Sequence, residues 1–137
     1  MFSEFYEKIL EWIFNPTAHK MRQMESLTPL SIYQASQKTN ALFVQNGLVG
    51  IDSTWQKLEL VRNITEFYTL DSPSREAIES RTELLDYLAA SDKEYESTSE
   101  LSAETMKILT EKTVRFMTRF DVDLETIAAV RRELLQN

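Results

Sequence analysis

Apolar residues recur along this chain at steps of three and four almost from end to end, and that spacing predicts helices throughout. Phe2, Phe5, Tyr6, Ile9, Trp12 and Ile13 share one face of a first helix over residues 3–14, with Ser3, Glu4, Glu7, Lys8 and Glu11 on the other. Asn15-Pro16 ends it, because the residue before a proline is pushed out of the helical region. Residues 17–26 read either as a short helix carrying Met21 and Met24 or as an irregular connector. Thr28-Pro29 is a helix start, a capping hydroxyl followed by proline at the first position. From there the pattern runs helical to about Tyr68. Ala41, Val44, Leu48, Ile51, Trp55 and Leu58 alternate steps of three and four, a heptad seam that drifts onward to Val61, Ile64 and Tyr68. Gly47 and Gly50 lie inside it and point to a kink or a close helix–helix approach.

Asp71-Ser72-Pro73 repeats the start signal, with Ser72 as the expected cap. No breaker follows until Phe120-Asp121. The seam of this second long helix reads Ile78, Leu85, Leu88, Tyr95, Met106, Leu109, Phe116 and Phe120, and is thin where Asp92, Ser99 and Ser102 fall on it. Asp123 caps a last helix to about Gln136, with Val122 and Ile127 placed as a hydrophobic staple and Ile127, Val130, Leu134 and Leu135 as its apolar side.

The expected fold is therefore all-α: two long antiparallel amphipathic helices plus shorter N- and C-terminal helices, in one helical domain over 1–137. Residues 1–27 form the aromatic helix and connector, 28–120 a long helical hairpin, and 121–137 the C-terminal helix. At about 1.5 Å per residue the two long helices would measure roughly 60 and 70 Å. Two such helices bury only the seam between them, so the coiled-coil-like bundle is expected to be completed by oligomerisation.

Composition narrows the function. Hydrophobic residues make up 42% and charged residues 27%, a globular balance, while 2 Gly and 3 Pro leave little material for the turns of a sheet-rich enzyme. There is no cysteine, hence no disulfide and no thiolate metal site, which fits a reducing cytoplasm. The start lacks the basic region of a secretory signal, and no apolar run approaches the roughly 20 residues of a spanning helix. A net charge of −7 argues against nucleic acid and against anionic lipid as partners.

Candidate chemistry is sparse. The single histidine, His19, sits beside Lys20 in the weakest-patterned segment. No Glu-x-x-His pair and no phosphate-binding loop pattern occurs, so no metal and no cofactor is expected. Glu76, Glu79, Glu83 and Asp86 line one helix; with Arg75 and Arg81 interleaved they read as a solvated face rather than an acid–base pair. The chain is expected not to be an enzyme. The aromatic face of the first helix either fills the bundle core or inserts into an apolar boundary such as lipid or polymer. Val44, Leu48, Ile51, Trp55, Leu58, Leu85 and Leu88 form a second candidate seam, for self-association or surface contact. The other class of function open to such a chain is a helical module that binds another protein.

The order of parts between residues 34 and 112 resembles the phasins, small proteins that coat bacterial polyhydroxyalkanoate granules. An amphipathic segment with a glycine, Gly50-Ile51-Asp52-Ser53-Thr54-Trp55-Gln56-Lys57-Leu58, is followed by the Asp71-Ser72-Pro73 break. Then come an acidic helix with Glu83-Leu84-Leu85-Asp86-Tyr87 and a Ser/Thr-rich stretch from Tyr95 to Ser102, leading into Thr110-Glu111-Lys112. The resemblance implies a cytoplasmic, non-catalytic granule coat that limits coalescence, forms homo-oligomers in solution and rearranges in part on a hydrophobic polyester surface.

Overall fold

The computed structural model describes residues 27–136, so the aromatic helix with Phe2, Phe5, Tyr6, Ile9, Trp12 and Ile13, and His19, lie outside the described residues. Every regular element described is an α-helix: α1 (Pro29–Gln45), α2 (Ser53–Phe67), α3 (Arg75–Thr98), α4 (Ala103–Arg119) and α5 (Leu124–Leu135). The chain divides into two compact units, Met1–Phe67 and Tyr68–Asn137.

The all-α expectation holds, but each expected long helix is interrupted. In the first unit, α1 starts as the sequence indicates, with Thr28 capping and Pro29 in the first turn; the Thr28 and Ser31 side chains each accept the other's backbone N–H. It stops at Gln45. Gly47 takes φ +74, its N–H donates to the Val44 carbonyl, and the Leu48 N–H donates to the Phe43 carbonyl at 2.9 Å. This pair of bonds is the Schellman motif, which a glycine in the left-handed region permits. The chain re-enters a helix at Ser53, where the Asp52 carboxylate accepts the Thr54 N–H. The heptad spacing from Ala41 to Leu58 passes straight over these stop and start signals, and so it is no continuous seam.

α1 and α2 pack together, and Ile32, Tyr33, Leu58, Val61 and Ile64 on them are all at most 5% exposed. Burial of α2 reaches around most of its circumference, from Gln56 through Leu60 to Thr65, more than a single stripe would give. Among these apolar groups the Gln56 amide donates to the Ser36 hydroxyl at 2.7 Å, which keeps a buried polar pair satisfied.

In the second unit the predicted start moves by two residues. Ser74, not Ser72, caps α3 and accepts the Ala77 N–H; Pro73 lies just outside the helix. The helix expected to reach Phe120 ends at Thr98. Ser99 turns left-handed at φ 61 and Ser102 caps α4 by accepting the Thr105 N–H. The thin stretch of the seam is thus a break, because its hydroxyls bond locally to backbone instead of packing: the Thr98 Oγ1 accepts the Glu100 N–H. Asp123 caps α5 as expected, accepting the Thr126 N–H at 3.0 Å.

α4 packs against both α3 and α5. Leu84, Leu88, Leu109, Phe116, Met117, Phe120, Ile127, Val130 and Leu134 form the core, and each large apolar side chain fully buried contributes about 1.5–3 kcal/mol. The Phe116 and Phe120 rings lie 4.5 Å apart between centroids. Thr110 and Thr113, also buried, donate to the Met106 and Leu109 carbonyls one turn back, so their hydroxyls enter the core without an unmet bond. Ile78, expected in the seam, is 52% exposed. The buried row of α3 is Ala77, Ser80, Leu84, Leu88 and Ser91, rotated by about a residue from the expected one.

Candidate functional site

The distinctive surface of the first unit is the end of α1 and the loop behind it. Leu42, Val44, Leu48 and Val49 are 55%, 58%, 58% and 92% exposed. Among the described residues the other exposed large apolar side chains, Leu70, Ile78, Leu124 and Leu135, are scattered through the second unit. No charged residue occurs from Thr39 to Ile51. Scattered exposed apolar side chains are ordinary; a run of them in an uncharged loop marks a contact surface.

The loop is held in one shape. The Schellman motif folds Leu48 back on the last turn of α1. Beyond it, the Asn40 side chain accepts the Ile51 N–H and donates to the Ile51 carbonyl. Gly50 allows this approach, since a Cβ there would stand 2.8 Å from the Asn40 Oδ1 and 2.9 Å from the Val44 Cγ2. The apolar side chains are therefore presented by a braced turn and not by a loose loop, which reduces the entropy lost on contact.

The sequence-predicted residues separate into groups. Val44 and Leu48 belong to the exposed tip; Ile51 and Trp55 are partly exposed at its edge; Leu85 is partly exposed on α3; Leu58 and Leu88 are buried, at 2% and 4% exposure. Leu42 and Val49 complete the tip but fall off the heptad spacing. The Asn46-Gly47 dipeptide, a turn signal, is what marks this stretch as a loop in the sequence.

Two of the α3 carboxylates are paired with cations. Arg75 pairs with Glu79 at 3.2 Å, and Glu83 meets Arg115 at 3.2 Å and Lys112 at 4.0 Å. Glu76, Glu79, Ser80, Glu83, Arg115 and Arg119 border a shallow hollow of about 340 Å³ between α3 and α4. Exposed pairs of this kind contribute at most about 1 kcal/mol each. A second open hollow, of about 550 Å³, runs along α4 beside Lys107, Ile108 and Lys112. Among the described residues no group of three or more His, Cys, Asp or Glu is placed to hold a metal ion, and no helix is long and apolar enough to cross a membrane. Compared with known proteins, the chain matches no family model, no curated protein and no solved structure.

Proposed function

We propose that this chain is a non-catalytic coat protein that attaches to an apolar surface, and that the surface is a polyhydroxyalkanoate storage granule in the cytoplasm, as the resemblance to phasins implies. The observation that carries the reading is the braced, uncharged tip of Leu42, Val44, Leu48 and Val49. Apolar area removed from water there contributes about 25 cal/mol per Å². The aromatic residues Phe2, Phe5, Tyr6, Ile9, Trp12 and Ile13 would add a second contact. A homo-oligomer in solution belongs to the same reading.

Binding to polyester particles tests it. The wild-type chain is expected to sediment with the particles, and Leu48→Asp/Val49→Asp to stay in the supernatant with unchanged helical circular dichroism. A wild-type chain that remains wholly soluble beside the particles defeats the granule reading.

The second reading is a helical module that binds another protein. It is favoured by the closed packing of the helices: Leu58 and Leu88 are buried, and hydroxyls such as Thr113 find partners inside their own helix. Under that reading the chain ignores polyester and unfolds cooperatively, with Trp12 shielded.

A further inference from the structure

Within the second unit, the break between α3 and α4 keeps helical phase. Continued through residues 99–102 at about 100° per residue, the buried positions of both helices fall in one sector of about 120°. Ala77 and Thr113 coincide in direction, and Leu84, Leu88, Leu109 and Met117 lie within about 40° of them. No such agreement joins α1 to α2, where the buried positions of α2 spread around the helix. The break holds neither glycine nor proline, only Ser99-Glu100-Leu101-Ser102. Ser99 nevertheless occupies the left-handed region, at φ 61, which a side chain disfavours. The closed turn is tied by Glu94, whose carboxylate accepts the Thr105 hydroxyl at 2.9 Å and the Ser102 N–H at 3.5 Å.

We propose that α3 and α4 straighten through residues 99–102 into one helix of roughly 65 Å, and that two chains exchange α3, each laying it on α4 of the other. This inference does not depend on the granule reading. A second copy is the occupant because the seam is flanked by charges as well as apolar groups. Glu83 faces Lys112 and Arg115 across the seam, and an opened chain finds them opposite it again only on another copy. The exchanged interface repeats the closed one, so opening sacrifices few contacts, and it releases Ser99 from its left-handed turn.

The test uses the full chain and light scattering from micromolar to millimolar concentration. Ser99→Gly suits the closed turn and weakens a helix, whereas Ser99→Ala does the reverse. With two hinges per dimer, the dimer dissociation constants of the two variants should differ by about tenfold or more, the Ala variant being tighter. Spin labels on Glu83→Cys/Lys112→Cys, diluted into unlabelled chain, then read the hinge directly, since the protein has no other cysteine. In the closed unit the labelled sites face each other, as their 4.0 Å ion pair requires; in the exchanged dimer they stand about 44 Å apart along one helix. Absence of a dimer in Ser99→Ala at millimolar concentration overturns the proposal, as does a dimer whose labels remain close.

Discussion

The Asn40 side chain grips the backbone of Ile51 at both of its polar groups, accepting the N–H through Oδ1 and donating to the carbonyl through Nδ2 at 3.2 Å. Residues eleven apart in sequence are thereby locked together, and the loop between them becomes a fixed tip. Asn40→Ala should destabilise the chain by about 1 kcal/mol, the net value of such bonds where water partly replaces them. Urea denaturation measures that loss, and amide exchange at Ile51 should quicken more than at residues within α2.

The two glycines of this loop should behave differently. Gly50→Ala sets a methyl against Asn40 and Val44, so it displaces the side chain that Asn40→Ala removes. The pair should be markedly non-additive in a double-mutant cycle. Gly47→Ala meets open space but must hold φ +74. It should lose about 1 kcal/mol by strain alone and add independently to either of the others.

The turn between α4 and α5 repeats the Schellman pattern without a glycine. The Val122 N–H donates to the Met117 carbonyl at 3.0 Å, the Asp121 N–H to that of Thr118 at 3.3 Å, and Asp121 holds φ 58. Asp121→Gly should stabilise the chain by about 0.5–1 kcal/mol, read as a rise in the thermal midpoint. A fall in that midpoint would mean that the Asp121 side chain contributes more than its backbone strain removes.

Stability should decline at both ends of the pH scale through neighbouring groups of the second unit. The Thr126 hydroxyl and N–H hold the Asp123 carboxyl below its ordinary value of 3.8. Its contribution is complete above that value and is lost as the pH falls through the lowered one. Burial, and then the negative charge of Asp123, raise the Tyr68 phenol above 10.0. Here the contribution is complete below pH 10.0 and declines as the pH climbs toward the raised value, because the folded state keeps a proton that the unfolded state releases. Urea midpoints against pH should show a shallower acid limb in Asp123→Asn and a shallower alkaline limb in Tyr68→Phe.

Surface and core residues of the predicted seam should separate under mutation. Val44→Asp at the exposed tip puts a negative charge in the last turn of α1 and should cost no more than about 1 kcal/mol. Leu88→Ala should lose about 2–5 kcal/mol by emptying a packed site. Equal losses in the two variants, measured by chemical denaturation, would show that the tip is covered in solution.

Local chemistry was legible in the amino-acid sequence. Thr28-Pro29 and Asp123 mark helix starts through bonds that reach only three residues, and the spacing of Leu85, Leu88, Leu109 and Phe116 specifies helix without saying which face is buried. Periodicity could not say where a helix stops. The same rows of apolar residues suit a straight helix or two helices folded face to face, as the shared phase of α3 and α4 makes plain. Tertiary packing decided between them. It set the left-handed turn at Ser99, buried Leu58 and Leu88, and left Leu42, Val44, Leu48 and Val49 in water. The bond from Asn40 to Ile51 and the close approach at Gly50 depend on how the chain returns upon itself, and spacing along a single helix carries no record of that.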